Sequence, residues 1–185
     1  MVVSMSKNNT LEQWIDEISE LHLPRWNELP QLDLYMDQVV TLIERYLRPL
    51  LNPSDEKVLT KSMVNNYVKL QMIPAPVKKQ YSRKHLAYLI VITVLKQVVT
   101  IKEVKQGVMN LTEIVGEKNA YNYFIEEQEK ALHLMAASIR EKKELPLNLE
   151  PVDENKLALR MAAMAFATKI AAEKLVVAQS KKHHG

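Results

Sequence analysis

Apolar positions recur along most of this chain at helical rather than alternating spacing. Leu11, Trp14, Ile15 and Ile18 share one face of a short helix that Thr10 is placed to cap, and Pro24 and Pro30 bracket the loop behind it. Met36, Val39, Val40, Ile43, Tyr46 and Leu47 form the next stripe, with Asp33 as the expected N-cap and Pro49 and Pro53 as the stop. The Asn52-Pro53-Ser54-Asp55 cluster is turn chemistry. Thr60 opens a short helix to about Leu70, after which Pro74 and Pro76 favour extended backbone around Val77 to Tyr81. Ser82 caps a helix over Arg83 to Val99. Its β-branched run, Leu89 to Val94, has strand composition, but its length and the flanking helical signals predict a buried helix. Thr100 caps another helix carrying Ile101, Val104, Val108, Leu111 and Val115, and Gly116 stands at its C-terminal end. Two longer helices follow, about Lys118 to Lys143 and Asp153 to Ala178, joined through Leu145-Pro146-Leu147 to Pro151.

This pattern predicts an all-α fold with a short β segment before Ser82 and a C-terminal helical hairpin. It divides into an N-terminal helix and loop (1–31), a central module (32–116) and a C-terminal helical region (117–185). The last helix is rich in alanine and methionine (Met161 to Ala167). Small residues permit close helix approach, so its wide apolar surface serves either a homodimer interface or packing within the monomer.

Composition removes several function classes. With 185 residues and 47% hydrophobic content, the chain is long enough for one domain or two small ones. No cysteine is present, which rules out disulfides, thiolate metal sites and a cysteine nucleophile. The longest apolar run, Leu86 to Leu95, is about half of what a bilayer requires. The N-terminal stretch carries no apolar secretory segment, so a cytoplasmic, non-membrane protein is expected. His22, His85, His133, His183 and His184 have no ligand spacing, and His85 reads as a cap-region residue or phosphate contact. Glu126, Glu127, Glu129, Glu141 and Glu144 read as a solvated helix face. No phosphate-cradling glycine loop or nucleophile elbow is present, so neither an enzyme nor a cofactor or metal site is expected. The terminal Lys181-Lys182-His183-His184-Gly185 is assigned no function.

Charge distribution is more informative than the net +3. Residues 1–56 hold four Lys/Arg against ten Asp/Glu; residues 57–105 hold ten against Glu103 alone; residues 106–185 balance at eleven each. The middle block is the footprint of a polyanion binder, or of a solvated face complementing the acidic N-terminal third. Within it, Lys61, Asn65 and Lys69 lie at i, i+4 and i+8 of the short helix, with Ser62 and Asn66 beside them. Val64, Tyr67 and Val68 fall on the other side. Lysines neutralise phosphates, and Asn amides pair with adenine edges, which is what a recognition helix requires. Asn, Ser and Lys also occur on the exposed face of any small helix.

The run Met63-Val64-Asn65-Asn66-Tyr67, Met72-Ile73-Pro74, Lys79-Gln80-Tyr81-Ser82, Leu86, Leu89, Ile92, Leu95 and Thr100-Ile101-Lys102-Glu103-Val104 resembles the winged helix-turn-helix of MerR-type regulators. The resemblance implies that Asn65 and Asn66 stand where that family places a DNA-contacting Arg and its first Tyr. Tyr67 would match the second, more buried Tyr, and Lys79 the wing arginine that touches phosphate. Departures are a long connection from Pro49 to Leu59, Gln71 in place of a glycine, and a short wing with Lys78 and Lys79. The segment from about Leu32 to Val108 also resembles an uncharacterised bacterial domain-of-unknown-function family through Leu34-Tyr35-Met36-Asp37-Gln38-Val39, Leu59-Thr60-Lys61 and Asn65-Asn66-Tyr67.

The expected function is a sequence-specific, dimeric DNA-binding transcriptional regulator. Lys61, Ser62, Asn65, Asn66 and Lys69 would enter the major groove, while Lys78, Lys79, Arg83 and Lys84 grip the backbone. The partners are then double-stranded DNA and a second copy of the chain through its C-terminal helices. An alternative is a protein-interaction module whose basic domain docks on an acidic partner, such as segment 1–56 of a second copy. A third is a C-terminal bundle that senses a small-molecule effector, with Tyr121, Tyr123, Phe124, Met135 and Phe166 as a pocket or as ordinary core.

Overall fold

The computed structural model describes residues 11–50, 57–144, 151 and 153–182. Thr10, the turn cluster 52–55, segment 145–150 and the terminal histidines lie outside them. In chain order the elements are α1 (Leu11–Ser19), a 3-10 turn (Trp26–Glu28), β1 (Leu34–Tyr35), α2 (Met36–Leu47), a second 3-10 turn (Arg48–Leu50) and α3 (Lys61–Lys69). Then follow β2 (Gln80–Tyr81), α4 (Arg83–Leu95), α5 (Ile101–Val115), α6 (Glu117–Glu141) and α7 (Glu154–Lys182). The all-α expectation holds, since the two short strands are the whole of the sheet among the described residues.

α4 sits at the centre. Leu89 to Val94, expected as a buried helix despite their strand composition, are helical, and every residue from His85 to Leu95 except Tyr88 is buried. A helix apolar on all sides has to be enclosed by others, and α2, α5, α6 and α7 surround this one. One continuous hydrophobic core runs from Trp14 to Ala171.

The caps explain most boundaries. Thr100 and Glu103 form a reciprocal capping box: the Thr100 N–H donates to the Glu103 carboxylate at 2.7 Å and the Glu103 N–H to Thr100 Oγ1 at 3.3 Å. Gly116, at φ 79, is the single residue between α5 and α6, a backbone angle that favours glycine. Asp33 does not cap α2. The chain first pairs Leu34 with Tyr81 and Tyr35 with Gln80, so the helix starts at Met36 and Gln38 Oε1 accepts from the Tyr35 N–H at 2.9 Å.

Residues 21–26 run antiparallel to α6, in a series of contacts that descends along the helix. The Leu21 carbonyl meets His133 at 3.0 Å, the Leu23 N–H donates to Glu129 at 2.6 Å, and the Pro24 carbonyl accepts from the Tyr121 hydroxyl at 2.8 Å. α6 and α7, expected as an antiparallel hairpin, instead run parallel. Lys156 lies over the Tyr123 ring, Arg160 pairs with Glu127 at 2.7 Å, and Gln128 donates to the Ala163 carbonyl at 3.3 Å. That nearly constant sequence offset is the mark of helices aligned head to head.

Candidate nucleic-acid interface

α3 presents the face that its spacing predicts. Lys61, Ser62, Asn65, Asn66 and Lys69 are exposed, while Val64 and Tyr67 are buried in the core. Burial of Tyr67 raises its hydroxyl pKa and keeps it neutral. Thr60 Oγ1 accepts from the Met63 N–H at 3.2 Å to begin the helix. At its end the Met72 N–H returns to the Tyr67 carbonyl at 2.9 Å across Gln71, whose φ of 54 occupies the left-handed position a glycine commonly takes.

Two lysines of the basic block hold this helix rather than extend from it. Lys105, from α5, donates to the Leu70 carbonyl at 2.8 Å, and Lys96 donates to the Val58 carbonyl at 2.9 Å just before α3. Burial lowers the Lys96 pKa, as a half-enclosed ammonium requires.

The wing is a minimal hairpin. Val77 and Gln80 exchange backbone hydrogen bonds at 3.1 and 2.9 Å, leaving Lys78 and Lys79 as its two central residues. Both have positive φ, 50 and 65, the signature of a type I′ turn, and both side chains are exposed. Asn and Gly suit such a turn best. Two lysines there accept backbone strain of about 1 kcal/mol or more each, and the strain places two cations at the tip. Lys69, Lys78 and Lys79 form no ion pair with another described residue.

Three expected contacts are placed differently. Lys61 pairs with Asp37 at 2.5 Å, in a bridge exposed enough to be readily exchanged. Lys84 is paired with Glu117 at the start of α6 and lies 5.8 Å from the centre of the Tyr88 ring. Arg83 is half-buried, and its Nε and Nη2 are enclosed without a hydrogen-bond partner among the described residues. Both Arg83 and Lys84 belong to the first turn of the central helix, so packing draws their heads away from open solvent. His85 is a cap residue and not a phosphate contact. Its ring is buried against Tyr81, Nδ1 accepts from the Ser82 N–H at 3.0 Å, and burial lowers its pKa.

The acidic face expected on α6 is partly internal. Glu129 is buried, accepts from the Leu23 N–H and pairs with Arg25 at 2.6 Å. Burial pushes its carboxyl up, but the Arg25 guanidinium and the Leu23 N–H outweigh that and hold it below the usual range.

A cavity of about 360 Å³ lies among α4, α5, α6 and α7. Of the residues read as either pocket or ordinary core, Tyr121 and Phe124 line it, joined by Trp26 and Tyr88 from outside the C-terminal helices. Met135 and Phe166 are buried in the core away from it, and Tyr123 packs beneath Lys156 at 3.6 Å. Burial and the neighbouring Glu117 carboxylate push the Tyr88 hydroxyl up to about 12. Only the folded chain brings Trp26 and Tyr88 to one cavity; no local motif announces it.

Among the described residues no group of three or more potential metal ligands occurs, and no helix is long and apolar enough to cross a membrane. No curated protein and no solved structure matches the chain. Residues 24–143 match the family described as Domain of unknown function (DUF1836), a longer span than the 32–108 resemblance because it begins at Pro24 and takes in all of α6. The chain belongs to the DUF1836 family.

Proposed function

We propose that this protein is a DNA-binding transcriptional regulator that reads duplex DNA with α3 and grips its backbone with the Lys78-Lys79 turn, in the manner of a MerR-like winged helix-turn-helix. The observation that carries this reading is the joint exposure of Asn65, Asn66 and Lys69 on one face of α3, with a strained two-lysine turn a few residues beyond. Half of α3 is anchored in the core, so the asparagine amides are presented from a fixed backbone. That lowers the entropy lost when they pair with base edges. Lys78 and Lys79 supply the sequence-independent attraction to phosphate.

One monomer reaches few base pairs, so a homodimer on a two-part site is expected. On α7, Leu157 and Met161 lie one turn apart and are each 47% exposed, and Val176 and Val177 further along are 62% and 52% exposed. Exposed apolar side chains at two places on one helix suit a self-complementary contact. Asn65→Ala tests the base-reading role. It should flatten sequence preference by about 1–3 kcal/mol while leaving affinity for random duplex nearly unchanged. Equal loss on every sequence would remove Asn65 from that role.

A second reading has its own support. The exposed Lys61–Asp37 bridge shows a cation of the α3 face engaging an acid of the N-terminal third. The basic module would then dock an acidic protein surface, including segment 1–56 of a second copy. A stable stoichiometric complex between copies, with no retention of DNA at low salt, favours that alternative.

A further inference from the structure

The cavity among α4, α5, α6 and α7 falls within the size range of small-molecule sites, about 300–1,000 Å³. Its wall is mostly aliphatic, with the aromatic rings of Trp26, Tyr88, Tyr121 and Phe124. No lysine, arginine or histidine lines it, whereas the carboxylates Glu103 and Glu117 do. An anionic head meets only carboxylates among the charged lining residues, and the Lys84 ammonium beside them is already paired with Glu117.

Two of the lining residues, Glu117 and Tyr88, already hold an ammonium. Lys84 Nζ is paired with Glu117 and lies 5.8 Å from the Tyr88 ring centroid, a carboxylate and an aromatic face serving one cation. Both charged side chains are a little under two-fifths exposed, so the pair is shallow and exchangeable. Gly107, mid-helix in α5, also lines the cavity. A Cβ built there meets nothing within 4 Å among the described residues, so a side chain can be added at that lining position without a clash.

We propose that this cavity binds a primary amine with an apolar tail: the tail fills the interior, and the ammonium replaces Lys84 on Glu117. Charge is conserved in the exchange, as one cation leaves the carboxylate and another takes its place. The amine stays at the half-exposed rim, where desolvation is small, while the apolar part leaves water. Lys84 is in the first turn of α4, which directly follows the Lys78-Lys79 hairpin. Its release would add a mobile cation there and alter DNA affinity, a regulatory consequence that rests on the DNA-binding reading above.

The test uses the full chain and three probes with one tail and different heads, octylammonium, octanol and octanoate, titrated by calorimetry below their micelle thresholds. Octylammonium should bind about tenfold more tightly than octanol, and octanoate should not bind. Glu117→Gln should remove that tenfold advantage. Lys84→Ala, by freeing the carboxylate, should tighten octylammonium about threefold. Gly107→Leu fills the open position and should abolish binding of octylammonium and octanol while thermal stability is retained. Equal affinity for the three probes, no response to Lys84→Ala, or unchanged binding by Gly107→Leu overturns the proposal. Titration of duplex DNA with and without saturating octylammonium tests the consequence. A several-fold change that Gly107→Leu removes supports it, and an unchanged DNA affinity overturns it. No DNA binding in either state removes the α3 reading and the regulatory consequence together, while amine binding stands or falls on the first titrations.

Discussion

Lys105 on α5 donates from its ammonium to the carbonyl of Leu70, the residue that ends α3, at 2.8 Å, so one helix closes the end of another. The carbonyl is one of those that a helix C-terminus leaves unpaired, and the cation also meets the negative end of the helix dipole. Lys105→Met should therefore lower stability by about 0.5–1 kcal/mol in denaturant unfolding. It should leave the salt dependence of DNA binding within about half a unit of slope, because this lysine serves the fold and not phosphate.

The turn lysines should behave in the opposite way. Lys78→Asn together with Lys79→Gly installs the residues a type I′ turn favours and relieves two positive-φ positions. The double variant should be at least as stable as the parent by thermal unfolding. It should bind DNA more weakly, with a log–log salt slope shallower by about two units, roughly 0.9 for each phosphate that is no longer neutralised. A DNA affinity equal to the parent's would take the turn out of the interface.

Gln71 holds a left-handed backbone angle at the end of α3. Gln71→Gly removes the steric penalty there but frees the unfolded chain, and the difference should leave a gain of about 0.5 kcal/mol in stability. Gln71→Val should lose about 1 kcal/mol or more at the same position, since a β-branched residue tolerates that angle poorly. Paired melting curves of the two variants measure both signs.

Glu129 ties the extended segment 21–26 to α6 through Arg25 and the Leu23 N–H. Glu129→Ala leaves a partly buried guanidinium and a backbone donor without their acceptor, and should cost about 2–3 kcal/mol. Its carboxyl is held below its ordinary value in the folded chain, so the unfolded chain takes up the proton first. The stabilisation is then complete above the unfolded carboxylate range, about pH 4.5, and falls away as the pH drops toward the folded value. Unfolding free energies measured from pH 7 down to 3 should decline more steeply for the parent than for Glu129→Ala.

Much of the fold is written locally. The stripe of Val39, Ile43 and Leu47, the Thr100–Glu103 capping box and the glycine at 116 each act within one or two turns, so helix identity follows from near neighbours. The α3 face is legible for the same reason: Val64 and Tyr67 fix which side is buried, and Asn65 and Lys69 must then point out. What the sequence hides is long-range. Asp33 has the chemistry of a cap, but pairing of Leu34 with Tyr81 displaces the helix start. Lys84 and Arg83 look like free cations until α6 brings Glu117 to one and the core encloses the other. The parallel course of α6 and α7 rests on pairs such as Glu127 with Arg160 and Gln128 with Ala163, each far apart in sequence. Glu129 reads as solvated because its partners, Leu23 and Arg25, lie more than a hundred residues away.

A regulator built this way must bind duplex DNA through phosphate charge, at the exposed basic face of α3 and its hairpin. A titration of the full chain with random-sequence duplex at about 50 mM and about 200 mM salt, beside Lys79→Ala, measures that binding. If roughly four phosphates are neutralised, affinity should fall by about a hundredfold between the two conditions, and Lys79→Ala should bind more weakly with a shallower slope. Absence of binding at the lower salt, or an affinity indifferent to both salt and Lys79, would refute DNA binding by this face.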